Sequence, residues 1–163
     1  MFIHKIFLKS MRFINSSYQI SKIKINLKSP ASWLIIEMSQ MDYEGKLVSM
    51  ILEANKYVRY ATICDSDGKI LWNSRRNDIQ SLITLEDTKD SLKRVVGNWK
   101  EREKLSEKIG RGRYNVEDYD KLKIVTVALR NNHLLYVHVE GHQQEYIGDI
   151  IKIVDWVEEH PSE

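Results

Sequence analysis

The run from Val58 to Ser74, VRYATICDSDGKILWNS, holds two short apolar, β-rich segments on either side of Asp65-Ser66-Asp67-Gly68. This is the pattern of a β-hairpin, because Asp-Gly supplies the positive φ that a tight reversal between two strands needs. The hairpin follows a helical pattern instead of another strand. Leu47, Met50, Ile51, Ala54 and Val58 recur every three or four residues, which predicts an amphipathic helix over 42–57 with Asp42 as its N-cap. A helix that feeds directly into a hairpin restricts the chain to a small set of folds built round one antiparallel sheet.

The rest of the chain fills in that plan. The hairpin strands fall at 60–64 and 69–73. Arg75, Arg76, Asn77 and Asp78 form a polar connector, and Ile79, Leu82 and Ile83 predict a short helical turn. Leu92, Val95, Val96, Trp99, Leu105 and Ile109 then hold helical spacing, with a gap around Arg102, up to a terminating Gly110. A strand is expected at 112–116, a turn over Glu117 to Asp120, and strands at 122–129 and 134–139 joined by Asn131-Asn132, since Asn tolerates positive φ. Both of the last strands are apolar on both faces, as in the middle of a sheet covered on two sides. Gly141 breaks the last strand, and Ile147, Ile150, Ile151, Val154 and Val157 predict a helix over 143–159 that Pro161 stops. The expected class is α+β: a five-stranded antiparallel sheet flanked by three helices in the order α-β-β-α-β-β-β-α.

A chain of 163 residues is one domain's worth and buries enough surface to need no disulfide or metal. The lone Cys64 favours a reducing cytoplasm, and no Cys/His spacing resembles a zinc site. The net charge of +2 conceals a division. Of 25 Lys and Arg, six lie in residues 1–37 with one acid, Glu37; of 23 acids the other 22 lie after it, against 19 cations. Residues 1–37 read as a basic, poorly ordered extension or a mis-assigned start, with Met38 or Met41 as true beginnings, and 38–163 as a single domain. Neither a signal peptide nor a membrane span is expected, because Ile6-Phe7-Leu8 and Trp33-Leu34-Ile35-Ile36 are too short. If translated, Trp33 to Ile36 add a strand or cover apolar surface, and the arm offers a nucleic-acid contact.

Chemistry-bearing patterns are sparse. Asp65, Ser66 and Asp67 are oxygen ligands, but the closing Glu and flanking helices of a calcium loop are missing. Gly110-Arg111-Gly112-Arg113 lacks the spacing of a phosphate loop and reads as a helix-to-strand connector; its alternative is a cradle of amides and guanidinium groups for a phosphate or an acidic partner. Cys64 and His138 fall on strands without the geometry of a nucleophile and base being given. His133 and His142 flank a strand and read as solvated. Tyr114, Tyr119 and Tyr136 read as strand packing before ligand stacking. No catalytic residue, metal or cofactor is therefore expected. The helix around Trp99, Lys100 and Arg102 reads as a solvated face or as partner surface, since Trp and Arg concentrate interface energy.

The order of elements resembles the roadblock/LC7 group within profilin-like and PAS-like architectures. At residue level, Val58 to Ala61 followed by Gly68-Lys69, then Lys108 to Tyr114, then His133 to Val137, resemble a family of small uncharacterised archaeal proteins carrying a domain of unknown function. That resemblance spans Asp42 to Trp156 and departs at Leu71-Trp72-Asn73-Ser74, where small residues and glycines are expected. It implies a non-enzymatic interaction module and, by the roadblock analogy, a small GTPase or other regulatory protein as partner. An open strand edge is itself a template for a second copy, so a homodimer through the third strand and the long helix is expected, with Trp99, Arg102, Arg113 and Tyr114 on or beside that surface. Two alternatives remain: a PAS-like small-molecule sensor, with His138 and Tyr136 beside Thr62 lining a pocket under the long helix, and nucleic-acid binding through the basic arm.

Overall fold

A computed structural model describes residues 43–144 and 146–160. The expectations for the basic arm, for Met38 and Met41, for Asp42 as a cap and for Pro161 lie outside the described residues. Helix α1 spans Tyr43–Ala54, followed by β1 (Val58–Cys64), β2 (Ile70–Arg75), α2 (Leu85–Glu103), a single turn α3 (Ser106–Ile109), β3 (Tyr114–Asp118), β4 (Leu122–Ala128), β5 (Leu134–Glu140) and α4 (Ile147–Glu159). The strands form one antiparallel sheet in the order β2-β1-β5-β4-β3. The predicted class, α+β with a five-stranded antiparallel sheet, is the one found.

Side chains alternate across the sheet, and each face buries its own cluster. Val125, Val127, Leu135, Val137 and Val139 point to the side covered by α1 and α4, where they meet Leu47, Ile51, Ile150 and Val154. Ile124, Leu134 and Tyr136 point the other way and are covered by Leu92, Val95 and Val96 of α2. This two-sided burial is why β4 and β5 are apolar on both faces. At the C-terminal end of α1 the Arg76 guanidinium donates to the carbonyls of Leu52 (2.5 Å) and Asn55 (2.9 Å), while its Nε donates to Val58 (2.7 Å). One cation thus ties the carbonyl end of α1 to the adjoining strand.

Both hairpin loops at one end of the sheet follow the same rule. Asp65 and Lys69 close a three-residue loop in which Gly68 has φ +81°, and Leu129 and His133 close another in which Asn132 has φ +62°. Each loop puts a residue that tolerates the left-handed region just before the returning strand. Asp65 Oδ1 also accepts from the amides of Asp67 (2.9 Å) and Lys69 (3.0 Å), which holds its carboxyl below the usual range. At the other end, Gly141 is required by close approach. A Cβ there would sit 2.5 Å from the carbonyl oxygen of Asp120 in the β3 to β4 turn.

Several boundaries differ from the sequence reading. Helix α1 ends at Ala54 instead of 57, so Val58, expected in its stripe, opens β1, and β2 runs on to Arg75, expected in the connector. Ile79, Leu82 and Ile83 form bends instead of a helical turn, because Thr84 is the extended N-cap of α2, in a capping box with Asp87. The long helix stops at Glu103 and does not run to Ile109: Lys100 to Lys104 offer no apolar side chain to hold it on the sheet, and Leu105 and Ile109 are 50% and 80% exposed. A separate turn, α3, follows and ends at Gly110, whose φ is +88°. Strand β3 lies two residues later than expected, at Tyr114–Asp118, since Gly112 is occupied in seating an indole ring. Helix α4 begins at Ile147 instead of 143, the chain first making a turn in which Gln143 N donates to Glu140 O.

Candidate functional site

Two features stand out at the β3 side of the molecule: a strand edge that pairs with no other described strand, and a groove beside it. The edge follows from the pairing pattern. Ala128 N donates to Arg113 O and Tyr119 N donates to Leu122 O, so residues 113, 115, 117 and 119 turn their backbone groups to β4. In an antiparallel ladder the intervening residues point outward. The N–H and C=O of Tyr114, Val116 and Asp118 therefore face away from the sheet. The register of β3 on β4 runs without a bulge from Tyr114 to Asp118, whereas the opposite outer strand, β2, is interrupted by a register shift at Ile63/Cys64.

Charged side chains brace this edge from both faces. On the α2 side, Arg102 donates to Asn115 Oδ1 at 2.8 Å and Arg94 pairs with Glu117 at 3.6 Å. On the α4 side, Arg113 reaches Asp155 at 3.2 Å, and the buried Lys123 pairs with Asp118. Of the four residues expected at a partner surface, Tyr114 is 47% exposed on the edge strand and Arg102 lies beside it on α2. Arg113 precedes the strand and is turned to α4. Trp99 is half-buried: its indole N–H donates to Thr126 Oγ1 (3.2 Å), and a Cβ on Gly112 would come within 3.0 Å of its ring. It supports the edge from behind, with the Arg102 guanidinium 5.4 Å from its ring centre.

The groove lies where the C-terminal half of α2, the α3 to β3 connector and the two hairpin loops converge. Its volume is about 340 Å³, and its walls include Trp99, Lys100, Arg102, Arg111, Leu134 and Ser66. The signal for it was partly visible in the Gly110 to Arg113 run. The contributions of Ser66, Asn132 and His133 depended on two loops meeting at one end of the sheet, which spacing alone does not show.

At Thr62 and Tyr136, where the alternative sensor reading put a pocket, the layer under α2 is filled. Thr62 and Tyr136 are opposite one another across β1 and β5 and are both 0% exposed, and Tyr136 OH donates to Ser91 Oγ at 3.0 Å. Beside Tyr60 and His138 opens a void of about 20 Å³, room for about one water. His138 lies between the rings of Tyr60 and Tyr136, each 5.1 Å away, and its Nε2 is buried without a protein partner.

Cys64 and His138 are on neighbouring strands but are not brought together. Cys64 is opposite Leu134 and His138 opposite Tyr60, four residues along β1, or about 13 Å. Burial, then the Asp65 carboxylate, pushes the Cys64 thiol up to about 11, so it is held protonated. His133 Nδ1 lies 3.1 Å from Glu44 Oε1, and His142 packs edge-on to Tyr57. Among the described residues no group of three or more His, Cys, Asp or Glu is placed to hold a metal, and no helix is long and apolar enough to cross a membrane.

No family model matches the chain, and no curated protein matches it. Among solved structures it is similar to the gliding protein MglB of Thermus thermophilus, with TM-score 0.58 and 12% identity over 88% of this chain and 96% of that one. It is similar also to a roadblock/LC7 domain from Streptomyces avermitilis, with TM-score 0.55 and 12% identity over 75% of this chain and 98% of that one. The fold is that of the roadblock/LC7 domain. MglB of Myxococcus xanthus aligns with TM-score 0.55 and 12% identity over 69% of this chain and 89% of that one. Among the described residues β3 is the last strand at one edge of this sheet, with α2 lying over one face.

Proposed function

We propose that the chain is a non-enzymatic protein-interaction module that pairs with a second copy of itself through β3 and the adjoining part of α2. The observation that carries this is the regular, unbulged β3 edge with the backbone groups of Tyr114, Val116 and Asp118 turned outward. Proteins blunt edges they keep unpaired with bulges, proline, charge or cover, and the charges on β3, Glu117 and Asp118, are paired with Arg94 and Lys123. Here the bulge is at the β1 to β2 pairing and β3 has none. A two-fold axis beside Val116, the middle residue of β3, sets Tyr114 of one copy opposite Asp118 of the other and joins two five-stranded sheets into one. Such a contact is isologous and closes on itself. One solved structure of this fold, with 12% identity, carries the description of MglB in a tetrameric arrangement, which is consistent with self-association as the use of the edge.

The test is light scattering of the full chain at tens of micromolar, beside Tyr114→Pro. Proline at the first position of an edge strand removes an outward N–H without breaking a bond to β4. The expected result is a dimer for the parent and a monomer for the variant, with similar thermal stability. A monomeric parent overturns the reading.

A further inference from the structure

The groove beside α2 joins the open end of the core under that helix to a cluster of cations that core packing does not explain. Its floor is apolar, formed by Val96, Ala128, Leu134 and the Trp99 indole. Around it stand three cations, Lys100, Arg102 and Arg111, against one carboxylate, Glu103. The cations are not consumed by strong pairs. Arg111 gives one donor to the Leu129 carbonyl (2.7 Å), Arg102 gives one to Asn115 Oδ1 (2.8 Å), and Lys100 is 3.7 Å from the exposed Asp67. A guanidinium has five donors, so each arginine keeps most of its capacity. Gly112 is integral to the wall, because the Trp99 ring lies where its side chain would be.

We infer that this groove binds a small amphipathic organic anion, an aromatic carboxylate, whose ring lies on the Leu134 and Ala128 floor and whose carboxylate is held by Arg111. The volume of about 340 Å³ is at the small end of ligand sites, enough for a bicyclic ring and not for a folded peptide segment. The cationic excess selects for negative charge, and the planar fork of an arginine matches a carboxylate. The apolar floor excludes a bare inorganic anion as the preferred occupant, since such an ion gains nothing from Leu134. The site does not require β3 to be paired.

The test titrates the full chain with 2-naphthoate and with its neutral analogue 2-naphthamide, by calorimetry and by amide chemical shifts. The expected result is a dissociation constant below about 1 mM for the acid, and binding at least about tenfold weaker for the amide, the scale of one hydrogen bond to a charged group. Shifts should centre on Ser66, Gly112 and Asn132. Arg111→Gln should weaken the acid by a similar factor and leave the amide unchanged. If that variant is misfolded, the acid against amide comparison on the parent decides alone. Equal affinity for both probes, shifts centred elsewhere, or no binding at millimolar acid overturns the inference.

Discussion

Burial of His138 makes this domain sensitive to mild acid in a way that one substitution should remove. The imidazole pKa falls from 6.5 to about 4, chiefly because burial penalises the charged form and secondarily because the Arg59 guanidinium is near. A group with a depressed folded pKa takes up its proton more readily in the unfolded chain. Its contribution to stability is therefore complete above about pH 6.5 and is lost as pH falls toward 4. Between pH 7.5 and pH 4.5 the loss is on the order of 2 to 3 kcal/mol, since each pKa unit corresponds to about 1.36 kcal/mol. For a domain of this size that lowers Tm by roughly 10 °C. Carboxylates also titrate in this range, so the measurement is a difference between the parent and His138→Phe. Phenylalanine fills the space between Tyr60 and Tyr136 without a titrating group. Thermal unfolding followed by far-UV circular dichroism at the two pH values should show the parent losing roughly 2 to 3 kcal/mol more than the variant. Equal losses would refute the argument that His138 folds neutral.

Two further substitutions probe the scaffold. Gly141→Ala drives a methyl group to 2.5 Å from the Asp120 carbonyl, and because the obstacle is backbone it should cost about 2 kcal/mol or more in urea unfolding; a change under about 0.5 kcal/mol would mean that the β3 to β4 turn moves freely. Thr84→Ala removes the oxygen that accepts from Asp87 N at 3.1 Å and should cost about 1 kcal/mol, with helical signal lost first at the start of α2. An unchanged midpoint would show that Asp87 alone secures that end.

The strands and two of the helices were legible because their information is local. Asp65 to Gly68 and Asn131-Asn132 name their turns through the backbone angles those residues allow, and β4 and β5 announce a central position by carrying apolar residues on both faces. Ends were less legible. The continuation from Trp99 through Leu105 to Ile109 looks like one helical stripe, but the surface to be covered gives out after Trp99, and periodicity does not record where a sheet ends. The residues expected at a partner surface divided for a similar reason. Tyr114 and Arg102 belong to the β3 side, whereas Arg113 turns to Asp155 across the sheet and Trp99 folds inward onto Thr126. Gly112 next to Arg111 was visible as a connector; that its bare backbone seats an indole ring thirteen positions earlier was not.

The two faces of the sheet are unequally loaded. One side carries two helices and the larger buried cluster, while the other is closed by α2 and a smaller set that includes Cys64, Ile124 and Tyr136. The weaker face is then the one that opens first. In hydrogen exchange, α2 should release its amides at a lower free energy than β1, β4 and β5, as a separate cooperative unit. Because α2 also braces the β3 edge through Arg94 and Arg102, each opening momentarily frees that edge from its supports. Any contact made there then acts back on α2 and slows its exchange, so the opening rate of one helix becomes a readout of whether the edge is occupied.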